Sequence, residues 1–399
     1  MNDEVRVPTR MIHSKAGLIA LALAACTDSS SGDGAISPPD SGITARFQQH
    51  LDALHAGGIV GVVGEIDDHG TRIQAHSGVA QLGGDQPVPL DGHFRIGSTT
   101  KTFVAVVVLQ LVHERVLGLD DAVDLWLPGL VSGNGNDGAH ITIRQLLQHT
   151  SGIYNYSRDV LPEYTPDSFA QLRLKHYEPE DLVAIALQHA PGFAPGASWS
   201  YSNTNYILAG MIIEQATGHD WRAEVDARIL KPLQLSHTSQ PVDELDLPAP
   251  HANGYVRFGE GVPLVDTTGM NHTVADAAGA LISTTSDLLQ FWRALQAGEL
   301  LGAAEMTEMH HTVPVNDEGD VRPGSSYGLG IIWYPVSCGG GYWSHEGDTL
   351  GFSSLNAVSE DGSRAVVVSQ TTVPGGPAVD AEDIQLLDDA MCADGSSAP

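Results

Sequence analysis

Hydrophobic residues recur along this chain in three patterns, and each predicts a different element. Over residues 43–56 they form one stripe among polar neighbours, the period of a helix with one buried face. Over 99–114, TTKTFVAVVVLQLVHE, they cover nearly every side, which predicts a helix buried all round. Over 61–66 and 72–78, and again after residue 341, short apolar runs bounded by turn residues predict strands and hairpins. A second apolar helix is predicted over 203–216, stopping before Gly218. Residues 120–272 read as mostly helical with loops. From residue 284 the pattern returns to helix, then to three or four strands, then to a last helix, AEDIQLLDDAM.

Strands at both ends with helices between imply an α/β fold of the α+β type. One antiparallel sheet would be built from both termini and flanked by helices, with an all-helical subdomain beside it and the site in the cleft. The expected catalytic body covers 43–392. Its α/β part would be 43–120 and 275–392, and its helical part 121–274.

The first 25 residues predict a signal peptide. Arg6, Arg10 and Lys15 precede AGLIALALAA, an apolar core too short to span a membrane as a helix. Leu23-Ala24-Ala25-Cys26 resembles a bacterial lipobox, which makes Cys26 the candidate lipidation site; plain secretion after a nearby cleavage is the alternative. Residues 26–42 read as a flexible Ser/Asp/Pro/Gly-rich tether and 393–399 as a tail. A net charge of −30 argues against nucleic acid and against anionic membrane surfaces. The expected location is exported, periplasmic or at the cell surface, with membrane contact only through the lipid. Cys338 and Cys392 remain, and in an exported chain they suggest a disulfide, with two free thiols as the alternative.

The chemistry begins at Ser98 and Lys101. Residues three apart on a helix share a face, so the hydroxyl and the amine should meet. A serine hydroxyl is a weak nucleophile until a neighbour takes its proton, and a desolvated lysine can take it. A capping serine with a snorkelling lysine is the alternative reading of this pair alone. Tyr201-Ser202-Asn203 precedes the second apolar helix, a rigid place from which a tyrosine beside a cation can act as general base. An ordinary N-cap also fits it. His345-Glu346-Gly347 lies in a predicted strand pair, where Gly347 would let a substrate backbone approach.

In this order, S-x-x-K, Y-S-N and H-x-G are the motif set of penicillin-recognising enzymes. With FRIGSTTKTF, ITIRQLLQHTSGIYNY, WSYSNTNYILAGMIIE, HANGY, AGALISTTSDL and YGLGI, the chain resembles the serine β-lactamase and D,D-peptidase superfamily. It most resembles the secreted D-alanyl-D-alanine carboxypeptidases related to class C β-lactamases. The resemblance implies Ser98 as the acylated nucleophile, Lys101 as its deprotonating partner and Tyr201 as the proton shuttle. It implies that Asn203 holds a substrate amide and that His345 polarises the Tyr201–Ser98 network. Backbone N–H groups of Ser98 and Asp348 would form the oxyanion hole, and Glu346, Gly347 and Asp348 would line the substrate. It implies a Cys338–Cys392 pair, and neither metal nor cofactor. The expected partners are a small peptide or β-lactam, cell-wall peptide included.

The chain departs from the carboxypeptidase pattern at its pocket. Peptidase relatives often read H-T-G-T, where this chain reads His345-Glu346-Gly347-Asp348, and Ile332 stands where a relative carries a carboxylate-holding arginine. Carboxypeptidase action is the leading expectation. D-amino-acid amidase or aminopeptidase, esterase and β-lactamase are alternatives, as is a non-catalytic penicillin-binding module. Gly324-Ser325-Ser326-Tyr327-Gly328 also fits a nucleophile elbow, but a strand rather than a helix should follow it. His310, His311 and the other scattered histidines are expected at the surface, without metal-ligand spacing.

Overall fold

The computed structural model describes residues 41–160, 163–315, 322 and 324–392. The expected signal peptide, Cys26 and the tail lie outside these residues. The principal elements, in chain order, are α1 (Ser41–Ala56), β1 (Gly61–Asp68), β2 (Thr71–Gly78), α2 (Thr100–His113), α3 (Asn203–Thr217) and α4 (Thr285–Gln296). They continue with β3 (Ile332–Pro335), β4 (Gly341–Ser344), β5 (Gly347–Thr349), β6 (Phe352–Ser359), β7 (Arg364–Gln370) and α5 (Pro377–Met391). Among the described residues no helix is long and apolar enough to cross a membrane.

The main sheet is antiparallel and draws on both ends of the chain. Its order is β2-β1-β7-β6-β4-β3, continued by the short strands Ser326–Tyr327 and Val313–Pro314, with β5 pairing on β6. β1 pairs with β7 from Val62↔Gln370 to Asp68↔Arg364, so the first hairpin closes against the last strand. β7, RAVVVSQ, is buried along its whole length because helices cover both faces. Its residues alternate between two cores, as the period of a strand requires. Val366 and Val368 join Phe47 and Leu51 of α1 and Leu386 and Leu387 of α5. Ala365 and Val367 join a larger cluster with Phe103 of α2, Phe291 of α4 and Tyr206 of α3.

α2 therefore runs between the sheet and the helical half, which explains its apolar residues on every side. Thr100 to Leu109 are all buried, Lys101 included. Phe103 stacks on Phe291 with ring centroids 3.7 Å apart. α3 ends at Gly218, whose left-handed φ of 76° lets its N–H cap Glu214 O.

The structure corrects several expectations. α1 starts at Ser41, inside the stretch read as tether. Ser98 lies not in the α-helix but in a 3-10 turn, Gly97–Thr99, that leads into it. Between the expected helical limits short strands also form, Tyr255–Val256 among them, which pairs with Thr372–Val373. Such two-residue strands are set by distant partners and leave no periodic trace. By contrast, Ser326–Tyr327 is a strand paired on both sides, in keeping with the expectation that a strand rather than a helix continues from this stretch. His149 and His272 are buried rather than at the surface, and His310 is half-buried, stacked 3.8 Å from Trp343.

Cys338 and Cys392 form a disulfide with Cα atoms 5.8 Å apart and a sequence separation of 54. It ties the end of α5 to the turn between β3 and β4. Closing a loop of that size constrains the unfolded chain, so replacing both cysteines by serine should lower stability by about 2–4 kcal/mol. Denaturant unfolding of the oxidised protein and the double variant checks this. Coincident midpoints would show that the bond adds nothing.

Candidate active site

Three chain segments meet at Ser98 Oγ. Lys101 Nζ lies 2.9 Å from it, one helical turn on, and the Tyr201 hydroxyl donates to it at 2.8 Å from the loop before α3. Lys101 Nζ also donates to Asn203 Oδ1 at 2.8 Å and Ala278 O at 2.6 Å. Two of these three neighbours can only accept. An ammonium would donate to all three; a neutral amine donates to the two obligate acceptors and offers its lone pair to the Ser98 proton. Burial holds Lys101 well below the usual lysine range and favours that form.

Ala278 O is aimed by an unusual turn. Asp276 has a left-handed φ of 38° and accepts hydrogen bonds from Trp221 Nε1, at 3.1 Å, and from the Arg222 guanidinium. These contacts hold the short 3-10 turn Asp276–Ala278 beneath Lys101. Nothing in the sequence pattern marks them.

A buried polar lattice fixes the opposite wall. Thr99 Oγ1 donates to His345 O at 2.7 Å, and Asn356 Nδ2 donates to the same carbonyl at 2.9 Å. Ser354 Oγ contacts Ile96 O and Gly347 O at 3.0 and 3.2 Å. β5 is thereby pressed against the Ser98 turn. A Cβ on Gly347 would lie 2.0 Å from Ile96 O and 2.8 Å from Ser98 N. Gly97, at φ 51°, has equally little room: a Cβ there would meet Asp348 N at 2.9 Å and Asp348 O at 2.7 Å. The backbones of Ser98 and Asp348 are thus neighbours, the arrangement an oxyanion hole needs.

His345 and Asn203 both have protein partners in this structure. His345 Nε2 bonds the Tyr327 hydroxyl at 2.7 Å, and Nδ1 bonds Glu346 O at 2.9 Å. Its ring centroid is 6.3 Å from that of Tyr201. Burial pushes His345 down to about 3, so it is neutral. Asn203 uses its amide on Lys101 and on Ser157 Oγ at 3.2 Å. Sequence reasoning missed Tyr327, although YGLGI was singled out. It also missed His149, whose ring lies 4.4 Å from that of Tyr201 and whose Nδ1 accepts from Asn205 Nδ2 at 3.0 Å.

The two acids beside Gly347 differ. Glu346 is ion-paired with Arg322 at 2.6 Å, while Asp348 is exposed. Arg322 also bonds the Tyr342 hydroxyl and covers the Tyr334 ring at 4.0 Å. Ile332 is buried in the α1–α5 core. Burial and Asp348 push the Glu346 carboxyl up, with Arg322 opposing. Two cavities meet at Asp348. One, of about 330 Å³, contains Ser98 and Asn203. The other, of about 250 Å³, is lined by Arg322, Glu346, Asp380 and Asp383. Among the described residues no cluster of His, Cys, Asp and Glu is arranged to hold a metal ion.

Comparison with known proteins agrees with this geometry. The sequence model of the Beta-lactamase family matches residues 45–390. The fold is similar to a D-stereospecific amidohydrolase from Streptomyces sp., with a TM-score of 0.81 and 39% identity over 89% of this chain and 99% of that one. It is also similar to the D-amino acid amidase of Ochrobactrum anthropi SV3, with a TM-score of 0.76 and 27% identity over 87% and 98%. Penicillin-binding protein 4* of Bacillus subtilis is 28% identical over 304 residues, 72% of this chain and 62% of that protein. The chain thus spans less than two thirds of that curated relative.

The tightest contact of the site is Gly347 on the Ser98 turn. Gly347→Ala should slow acylation by about 10²-fold, since a misplacement near 1 Å costs that much, while the fold persists. Stopped-flow acylation with an active-serine probe measures it. An unchanged rate would mean that this contact does not set the site.

Proposed function

The chain belongs to the Beta-lactamase family, and on that premise we propose that it is a serine hydrolase acting through an acyl-enzyme on D-amino-acyl amides and short D-peptides. The observation that carries this reading is the position of Ser98 Oγ between Lys101 Nζ and Tyr201 OH. In the first step Ser98 Oγ bonds to the substrate carbonyl carbon and its proton passes to the Lys101 amine. The carbonyl oxygen becomes an oxyanion facing the Ser98 and Asp348 N–H groups. The C–N bond then breaks, Tyr201 delivers a proton to the leaving nitrogen, and Lys101 restores it. Water attacks the ester by the same route in reverse, releasing the acid and free Ser98. A substrate or β-lactam adduct on Ser98, detected by mass spectrometry and absent in Ser98→Ala, supports this; an adduct on Ser326 overturns it. Lys101→Ala and Tyr201→Phe should each lower the rate by several orders of magnitude. Because neutral Lys101 takes the proton, the acylation rate should fall as acid protonates it. A rate that stays flat toward acid would exclude Lys101 as the base.

An amide substrate is favoured over the carboxypeptidase reading by the cavity past Asp348. There Glu346, Asp348, Asp380 and Asp383 face one guanidinium, Arg322, which Glu346 already occupies. A leaving group with a free carboxylate adds another negative charge, whereas an amide or an amine does not. The amidohydrolase and amidase among the similar structures support the same reading. The Cys338–Cys392 bond supports an exported location.

We expect a D-peptide amide to be hydrolysed at least about five-fold faster than the matching free acid, the factor for one like-charge contact near 4 Å in water. Burial pushes the Asp383 carboxyl up to about 8; Glu346, Asp380 and Asp348 add to this and Gln370 opposes it. Asp383 therefore gains its charge as pH rises through about 8. A leaving group with a quaternary ammonium should gain on a neutral one across that range, and Asp383→Asn should remove the step. A wild-type preference for the free acid would reinstate the carboxypeptidase.

A further inference from the structure

The stretch QLLQHTSGIYNY, residues 145–156, carries none of the three reacting groups, yet it holds the loop that carries Tyr201. Three backbone N–H groups of that loop donate to it: Gly192 to Gly152 O at 2.8 Å, Gly196 to Thr150 O at 2.8 Å and Ser200 to His149 O at 3.0 Å. The last contact belongs to a residue that meets Tyr201 from both sides. The His149 carbonyl accepts from Ser200, the residue before Tyr201, and its Nδ1 accepts from the N–H of Ser202, the residue after, at 3.3 Å. The ring centroid of His149 lies 4.4 Å from that of Tyr201.

His149 holds this position in a strained backbone. Its φ is 61°, in the left-handed region that few residues other than glycine occupy, and its side chain has no exposed surface. Strain of this kind persists where the surroundings over-determine it, and it gathers at functional sites. The tautomer is fixed as well. Ser202 N–H can only donate, so Nδ1 carries the lone pair and the proton of the neutral ring lies on Nε2. Asn205 Nδ2 donates to the same Nδ1 at 3.0 Å, and Ser151 Oγ turns Asn205 that way by donating to its Oδ1 at 2.6 Å. Burial holds the ring well below the usual histidine range, which keeps the neutral form that these bonds require. Nε2 has no hydrogen-bond partner among the described residues, and the rings of Tyr206 and Tyr327 lie nearby, at 5.4 and 4.8 Å between centroids. A ring needed only to fill this core would serve as well as phenylalanine, without burying an N–H. What histidine adds is the acceptor at Nδ1.

We propose that His149 is a positioning residue for Tyr201: by holding the N–H groups of Ser200 and Ser202, it aims the Tyr201 hydroxyl at Ser98 Oγ and at the leaving nitrogen. The inference rests on the acyl-enzyme reading, in which Tyr201 protonates the leaving group. Its consequence is a dependence on the leaving group. An amine needs that proton to depart, whereas p-nitrophenolate, a weak base, does not.

The test compares D-alanine p-nitroanilide with the p-nitrophenyl ester of the same acyl group, the ester being read by its burst of p-nitrophenolate. His149→Phe keeps an aromatic ring and removes the acceptor. It should lower kcat/KM on the anilide by about 10²-fold, the cost of a displacement near 1 Å, and lower the ester burst far less. His149→Asn, whose Oδ1 falls near the place of Nδ1 and which tolerates a left-handed φ, should recover most of the anilide rate. In a Tyr201→Phe background His149→Phe should add no further loss, because the group it positions is gone. Asn205→Ala, which frees the ring from its second donor, should show the same split in smaller degree, and it is the readout should His149→Phe not fold. Equal losses on anilide and ester, losses that add in the Tyr201→Phe background, or an Asn205→Ala protein with the wild-type anilide-to-ester ratio overturn the positioning role alone. A Tyr201→Phe protein that keeps the wild-type ratio overturns proton delivery by Tyr201, and the inference with it.

Discussion

A fully buried lysine amine is the constraint around which the site is arranged. Lys101 has no exposed surface and no carboxylate within its hydrogen-bond set. Charging it there would require uncompensated desolvation, so the fold favours its neutral form. Its neighbours, two obligate acceptors and one hydroxyl, can serve that form. The acceptors come from α3, through Asn203, and from the turn held by Asp276, through Ala278. The helical half of the molecule therefore supplies the environment that makes Ser98 reactive.

The sheet supplies the other half. β5 contributes no bulk; Gly347 allows its backbone to lie against the turn that carries Ser98. Thr99, Ser354 and Asn356 saturate the carbonyls of Ile96, His345 and Gly347, groups that would otherwise be buried without partners. A network of this kind gains rigidity only when every member is satisfied. Here it fixes the two backbones that face the reacting carbonyl. Beyond it, the acid-lined cavity sets the charge that a leaving group meets.

Much of this was legible in the sequence because it follows local rules. Ser98 and Lys101 are one helical turn apart, α2 is apolar all round, and the hairpin of β1 and β2 is bounded by turn residues. The α+β class followed from strands at both ends of the chain. What stayed hidden depends on contacts between distant segments. The Arg322–Glu346 pair joins residues 24 apart in sequence, the Tyr327 partner of His345 comes from a separate short strand, and Ala278 reaches Lys101 only through a strained turn. The Thr99–Asn356 lattice is set by the register of β6, which no single segment encodes. The partners of the His345 ring, Tyr327 and the next carbonyl, were hidden for the same reason.

The claim that everything else rests on is the neutral Lys101 amine. Selective isotopic labelling of lysine, with Lys101 assigned by comparison with a Lys101→Arg variant, allows its side-chain NMR signal to be followed with pH. The account predicts that Lys101 changes from ammonium to amine well below the pH at which ordinary lysines titrate. A Lys101 signal that remained ammonium into the ordinary lysine range would contradict it and leave Ser98 without its proposed base.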